Sequence, residues 1–238
     1  MQIDQELCIA CEQCVPYCPV GAISVADTAV IDLDECAECG CCLRCADCPT
    51  DAIFQQELEY PRTVRSILSD PLTIATESGI SGRGTEEMKT NEVTGRFKLG
   101  EVGVGVEVGR PVTGARFKDV EKIAQAVSAL GVKFETCNPT TSLMSDTSTG
   151  KFKNELLNEK VLSAILEFSV PEDALPGVLN ALKEVAGKVD CVFTVCVACR
   201  ADEDENLSSY KYLDKSGVWY APNGKTNVGL GRPLVKEA

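Results

Sequence analysis

The feature that most constrains this chain is a cysteine motif that occurs twice within its first 60 residues. The segment "IDQELCIACEQCVPYCPVGAI" (Ile3 to Ile23) is echoed by "IDLDECAECGCCLRCADCPTDAI" (Ile31 to Ile53). The shared residues at the start of the motif recur 28 positions later, and those at its end recur 30 positions later. Such a duplication predicts two like structural units that pack about an approximate twofold axis.

Cysteine content and the absence of histidine narrow the chemistry. The chain has 14 cysteines and no histidine. No signal-like apolar segment follows Met1 and no apolar run could span a bilayer, so we expect a cytoplasmic protein, in which metal ligation or redox chemistry is favoured over disulfides. The lack of histidine excludes Ser-His-Asp and Cys-His nucleophiles, His-ligated zinc or haem, and Rieske centres.

The first copy has the spacing Cys-x2-Cys-x2-Cys-x3-Cys-Pro. Over residues 1–60 the chain resembles the bacterial two-cluster ferredoxin family, which implies two 4Fe–4S clusters. The resemblance also implies that three cysteines of each copy bind one cluster, while the fourth binds the other cluster. Carried over, one ligand set is Cys8, Cys11, Cys14 and Cys48, and the other is Cys18, Cys36, Cys39 and Cys42.

The second copy, "CAECGCCLRCADCP", contains more cysteines than one cluster needs. Register one uses Cys36, Cys39 and Cys42, whereas register two uses Cys39, Cys42 and Cys45. The 28-residue offset favours register one, and so does the small entropic penalty of a lengthened loop. In that register Cys41 and Cys45 are spare, and their roles stay open.

The negative charge is concentrated in the same segment. Residues 1–60 carry 12 acidic residues and one base, Arg44, which gives −11 of the total charge of −13. Such a surface disfavours nucleic acid and anionic lipid as partners. It predicts a partner oxidoreductase with a basic docking patch.

After a linker or wrapping segment (61–96), the hydrophobic pattern changes to alternating strands and helices over residues 97–200. The predicted order is βαββαβ, typical of a split βαβ sandwich with an antiparallel four-stranded sheet and two helices on one face. We therefore expect an α+β fold, with 201–238 as a C-terminal extension. The predicted elements are strands 99–109, 132–137, 161–170 and 189–199, and helices 117–131 and 171–188.

The stretch "VEVGRPVTGARFKDVEKIAQAVSALGVKFE" resembles the opening half of an ACT-type regulatory domain. This resemblance implies a small ligand such as an amino acid, or dimerisation edge to edge. The turn Gly109–Arg116 would form the site, with Arg110 or Arg116 binding a carboxylate. A second echo, "KTN-xxx-GR", occurs at Lys89–Phe97 and Lys225–Pro233, where Arg96 and Arg232 could line an anion pocket unless the similarity arose by chance.

Four further cysteines lie in the second half: Cys137, Cys191, Cys196 and Cys199. We expect buried thiols rather than a third cluster, because strands two and four of a split βαβ sheet lie at opposite edges. Their roles stay open.

These patterns favour low-potential electron transfer through two 4Fe–4S clusters to or from a partner oxidoreductase, in an anaerobic host. The second domain would bind the partner or form a homo-oligomer. We expect a non-catalytic electron carrier or electron-transfer subunit rather than an enzyme. The alternative is a redox-linked regulatory or ligand-sensing subunit whose ACT-like domain binds a small molecule.

Overall fold

The computed structural model describes residues 1–74, 95–109, 114–204 and 206–221. These residues form an N-terminal region of short strands and cysteine loops (residues 1–60) and a sheet region, the described part of residues 61–221. The mixture of helices and antiparallel sheets confirms the predicted α+β class. No helix among the described residues has the length and apolar character required to cross a membrane.

In the N-terminal region the strands of each repeat pair with strands of the other repeat. Its elements are β1 (Gln2–Ile3), β2 (Ile23–Val25), β3 (Ala29–Ile31), helix α1 (Cys41–Cys45) and β4 (Ile53–Phe54). Strand β1, at the start of repeat one, pairs antiparallel with β4, at the end of repeat two. Strand β2, which ends repeat one, pairs with β3, which begins repeat two. Each repeat is therefore completed by its neighbour.

The backbone next to these strands follows the same exchange. The Asp4 N–H donates to the Ala52 carbonyl at 2.7 Å, and the Asp32 N–H donates to the Ala22 carbonyl at 2.8 Å. A small apolar core lies between the repeats and contains Ile3, Ala22, Ile23, Ala29, Ile31, Ala52 and Ile53. A region of this size buries little apolar surface, and small domains of this kind commonly depend on a bound metal group for stability.

The sheet region is built on a four-stranded antiparallel sheet. Its elements are α2 (Thr63–Ser69), β5 (Glu101–Val108), β6 (Ala115–Arg116), α3 (Phe117–Ser128), β7 (Lys133–Phe134), β8 (Met144–Asp146), β9 (Lys151–Phe152), β10 (Lys160–Val161), β11 (Ala164–Pro171), α4 (Leu175–Ala186), β12 (Phe193–Cys199) and α5 (Tyr210–Ser216). The strand order is β12-β5-β11-β7. Strands β12 and β7 are therefore the two edges of the sheet.

Side-chain alternation on β5 explains which face of the sheet is covered by helices. Val102, Val104, Val106 and Val108 are fully buried in one core with apolar residues of α3 and α4. On the other face, the ring of Phe97 lies over Gly103, where an added Cβ would meet the ring at 2.4 Å. Glycine is therefore required there for the close approach of this ring.

The predicted elements are all found, but several are shorter than expected. The strand predicted over 132–137 is only β7, because the chain turns where the Asn138 side chain accepts the N–H of Thr140 at 2.7 Å. The strand predicted over 161–170 is divided, since β10 pairs with β6 whereas β11 joins the main sheet. Helix α4 begins at Leu175, after a 3-10 turn.

Helix α2 lies within the segment that we predicted to be a linker or a wrapping segment. It buries Val64 and Leu68 in the core of the sheet region. The Ser69 hydroxyl accepts the N–H of Leu162 at 2.9 Å, just beyond β10. The first turns after the N-terminal region are therefore part of the packed sheet region.

Candidate iron–sulfur site

The cysteine loops of the two repeats share an unusual backbone. Ala10 and Glu12 have φ values of 55° and 61°, and their counterparts 28 positions later, Glu38 and Gly40, have 55° and 66°. Left-handed residues are strained unless they are glycine, and successive turns of this type direct backbone N–H groups toward an anion. The same conformation in both loops indicates that both are shaped around the same kind of group.

The structure brings the eight candidate ligands into two sets of four. One cavity is lined by Cys8, Cys11, Cys14 and Cys48. The second is lined by Cys18, Cys36, Cys39 and Cys42. Each set takes three cysteines from one loop and one from the end of the other repeat.

The donor set of each cavity fits an iron–sulfur cluster. Among the described residues, no three Cys, His, Asp or Glu side chains converge closely enough to hold a single metal ion. The sulfurs instead surround a space, as a cluster with several irons requires. Four thiolates in an otherwise mainly apolar cavity are the typical ligands of a 4Fe–4S cluster.

Backbone N–H groups point at some of these sulfurs. The Ala22 N–H donates to the Cys18 Sγ at 3.1 Å, and the Ala29 N–H donates to the Cys8 Sγ at 3.3 Å. Hydrogen bonds of this kind stabilise negative charge on sulfur and help to set the reduction potential of a cluster.

Burial keeps several of the thiols neutral when no metal is bound. It raises the pKa of Cys39 to about 12 and that of Cys42 to about 11. At Cys48 burial is outweighed by hydrogen bonds from the backbone N–H groups of Thr50 and Ala52, so its pKa is lowered. Because metal ligands must be thiolates, cluster binding displaces protons from the buried thiols.

The two extra residues of repeat two are accommodated by α1. Cys41 is half-buried and Cys45 is exposed, and neither lines a cavity. Arg44 reaches back from this helix, donating to the Cys39 carbonyl at 2.7 Å and pairing with Asp70.

The cysteines of the sheet region lie apart from one another. Cys137 is exposed beyond β7, at one edge of the sheet, whereas β12 forms the other edge. On β12, Cys196 is paired with Gly105 on the glycine face, and Cys199 is paired with Val102 on the helix face. The Ser209 hydroxyl donates to the Cys199 Sγ at 3.0 Å.

Sequence reasoning missed one residue beside the second cavity, Arg65. Its side chain is almost fully buried, and its Nη1 donates to the carbonyls of Cys36 at 2.8 Å and Asp34 at 2.7 Å. Its Nε pairs with Glu159 of the sheet region. Arg65 therefore joins the two regions, because its Nη1 binds carbonyls of the N-terminal region. The one available signal was an arginine within the apolar segment "VRSIL".

The candidate anion-binding arginines have other partners. Arg116 pairs with Asp34 at 2.7 Å and with Glu35, so it binds the N-terminal region rather than lining a ligand pocket. Arg96 pairs with Glu135. Arg110, Arg232 and most of the "KTN-xxx-GR" echo lie outside the described residues.

Comparison with known proteins identifies the chemistry of the first region. Residues 1–24 match the 4Fe-4S binding domain family. The chain carries a 4Fe–4S ferredoxin domain at its N-terminus. The chain is 40% identical over 53 residues to pyruvate synthase subunit PorD of Methanocaldococcus jannaschii, covering 21% of this chain and 59% of that protein. It is 48% identical over 40 residues to ferredoxin-1 of Rhodobacter capsulatus, covering 16% of this chain and 62% of that protein.

These relatives support iron–sulfur electron transfer by the ferredoxin domain. The chain spans about three fifths of the length of the curated relatives that it matches. No solved structure matches the chain.

Proposed function

We propose that this protein is a low-potential electron carrier, or an electron-relay subunit, that holds two 4Fe–4S clusters and exchanges electrons with a partner oxidoreductase. The observation that carries the proposal is the pair of cavities, each lined by four cysteines drawn from both repeats. When bound, each cluster supplies reversible one-electron oxidation and reduction.

The proposed ligand sets follow from the lining of the cavities. Cys8, Cys11, Cys14 and Cys48 hold cluster one, and Cys18, Cys36, Cys39 and Cys42 hold cluster two. Because Cys36 lines the second cavity and Cys45 does not, the structure supports register one.

The remaining residues position the clusters and set their surroundings. The cavities are lined mainly by apolar side chains such as Ile3, Ile23 and Ile53, which limit the access of water to the sulfurs. The left-handed turns orient the loop backbone, and N–H groups such as that of Ala22 stabilise charge on sulfur.

The sheet region is proposed to bind the partner or to form a homo-oligomer. Its strand order β12-β5-β11-β7, with α3 and α4 packed on one face, supports the proposed split βαβ sandwich. We also propose that the sheet region is related to ACT-type regulatory domains.

The partner class is inferred from the relatives and from charge. Two of the similar proteins are described as pyruvate synthase subunits, so we propose a partner oxidoreductase of that general kind. Because residues 1–60 contain 12 acids and one base, the docking patch on this partner is proposed to be basic.

Anoxic purification followed by iron and sulfide analysis tests the proposal. We expect about eight irons and about eight sulfides per chain, and EPR signals from two reducible centres after dithionite reduction. About four irons, or a single centre, would overturn the two-cluster function.

A further inference from the structure

The duplication lets one surface of this domain be compared with its own copy. Face one (residues 5–12) and face two (residues 33–40) are related by the 28-residue offset and share the same loop backbone. A difference in what covers them therefore reflects their side chains and their surroundings, not their loop backbone.

Face two is partly covered by the sheet region of the same chain: Leu33 is 40% exposed, whereas residues 36–40 are buried. Arg116 pairs with Asp34 and Glu35, and Lys160 pairs with Glu35. Arg65 donates to the Cys36 carbonyl at 2.8 Å, beside the second cavity. Face two thus shows how this fold is recognised: basic side chains bind its acidic residues and loop carbonyls.

The side chains at the equivalent positions of face one are exposed to solvent. Leu7 is 48% exposed and Ile9 is 62% exposed, whereas Ala37, the counterpart of Ile9, is 1% exposed. Val15 and Tyr17, beside face one, are also exposed. Four exposed large apolar side chains in so small a domain are typical of an interaction surface.

Carboxylates flank this apolar patch. Glu6 and Glu12 form no ion pair with any other described residue, whereas Asp34, the counterpart of Glu6, pairs with Arg116. No lysine or arginine precedes Arg44 in the sequence. Exposed apolar side chains with neighbouring carboxylates are complementary to an apolar patch ringed by lysine or arginine.

Face one also forms a wall of the first cavity. Ile9, Cys11 and Glu12 line that cavity, and Cys11 is exposed. A protein seated on face one would therefore be separated from the proposed cluster one by a single layer of side chains.

We infer that face one is the docking surface for an external redox protein whose apolar contact is ringed by basic residues, while the chain's own sheet region occupies the equivalent face two. This inference rests on the proposed function, because electron exchange requires a cluster in the first cavity. One electron passes between the docked proteins, no covalent bond forms or breaks, and no proton moves.

The kinetic test uses cytochrome c, a basic haem protein, as the probe, with the full-length chain reduced by dithionite and desalted under anoxic conditions. The ferric haem takes one electron from the protein, and the second-order rate is followed by stopped flow. For the double variant Glu6→Gln/Glu12→Gln, we expect the rate at low ionic strength to fall about threefold or more, with a shallower salt dependence. For Leu7→Asn, we expect a fall of about threefold at high salt as well.

Two variants serve as matched controls. Glu184→Gln removes an exposed charge from α4, and Leu43→Asn removes an apolar side chain, 41% exposed, from the position in repeat two that matches Val15. Both should keep the wild-type rate. Ferricyanide, a small anionic oxidant, should oxidise every variant at the wild-type rate or faster, which shows that redox competence is intact.

A second measurement does not depend on electron transfer. Carbodiimide cross-linking to cytochrome c, mapped by mass spectrometry, should join probe lysines to Glu6 and Glu12 in higher yield than to Asp34 and Glu35, which are already paired with Arg116. Cross-links confined to acids of the sheet region would overturn the inference.

The outcomes separate the two proposals. A full iron content with unchanged rates in the face-one variants, or equal losses in the controls, would overturn the docking surface alone. A wild-type protein with markedly fewer than about eight irons would overturn the two-cluster function, and one without a cluster in the first cavity would overturn the docking surface as well.

Discussion

Repeat one and repeat two have the same cysteine spacing and the same left-handed loop residues, yet their surroundings differ. The loop of repeat one leaves Cys11 exposed, whereas Cys39, its counterpart in repeat two, is buried. Repeat two is held by Arg65 and Arg116 of the sheet region, whereas Leu7 and Ile9 of repeat one are exposed. The comparison shows that a local motif can specify the cysteine loop without specifying which other residues of the protein cover that loop.

The largest expected effect concerns the ligands of the second cavity. Replacing Cys36 by Ser should remove cluster two and lower the iron content from about eight to about four per chain, because a cubane is lost with its ligand. Replacing Cys45 by Ser should leave the iron content unchanged, since Cys45 is exposed and lines neither cavity. Iron analysis of both anoxic variants would support register two if the results were reversed.

The next effect tests the contact that covers repeat two. Replacing Arg65 by Met should lower the free energy of unfolding by about 3 kcal/mol, because buried carbonyls and Glu159 lose their partner. Replacing Tyr60 by Phe is the control: Tyr60 is 53% exposed and hydrogen-bonds Glu155 across the same junction, so its loss should be below about 1 kcal/mol. Denaturant unfolding followed by circular dichroism would contradict this ranking if both variants lost equal stability.

A smaller effect compares one backbone position in the two loops. Glu12 has φ 61° and its counterpart Gly40 has φ 66°. Replacing Glu12 by Gly should raise stability by a few tenths to about 1 kcal/mol, because glycine adopts this conformation without strain. Replacing Gly40 by Ala should lower stability by about 1 kcal/mol, since the new Cβ is strained and would lie 2.3 Å from the Arg44 Nη1.

Anoxic thermal melts, followed by the loss of cluster absorbance, measure both changes. If both variants shift in the same direction, the two loops do not share this strain.

The smallest effect is a pH dependence of the ion pairs on face two. Hydrogen bonding to Arg116 lowers the pKa of Asp34, and hydrogen bonding to Lys160 lowers that of Glu35. A carboxyl group whose pKa is lower in the folded state stabilises the fold at pH values above its pKa in the unfolded state. This stabilisation is lost as pH falls through the pKa of the folded state. Ordinary values are 3.8 for Asp and 4.5 for Glu.

The melting temperatures of the wild type and of Arg116→Gln/Lys160→Gln should therefore differ by a constant amount from pH 8 to about pH 5. The difference should shrink as pH falls below about 4.5. A difference that grows on acidification would show that these pairs do not carry the contact.

Much of the local structure could be predicted from the sequence, because periodicity reports local geometry. The alternation of Val102 to Val108 specified a strand with one buried face, and the spacing of Val120, Ile123 and Val127 specified α3. The division of the strand predicted over 161–170 was missed, because β10 pairs with β6 and not with the main sheet. Such pairing depends on distant residues, to which periodicity is insensitive.

In the candidate site, too, the local pattern could be predicted from the sequence, whereas contacts between distant residues could not. The ligand sets rest on the spacing of the cysteines and on a family resemblance, and the two cavities group the same residues. Arg65 was missed because an arginine in a short apolar helix is indistinguishable from an exposed one until its packing is seen. Arg116 was assigned to a ligand, whereas it binds Asp34, which lies 82 positions away in the sequence.

By itself, the sequence determined the duplicated cysteine spacing and most of the predicted strands and helices, since each depends on residues a few positions apart. Only the tertiary structure decided which copy of the loop is covered and which is open. The physical reason is that burial and ion pairing depend on side chains brought together from distant segments. Two loops with the same cysteine spacing can therefore differ in exposure, charge environment and access to a partner.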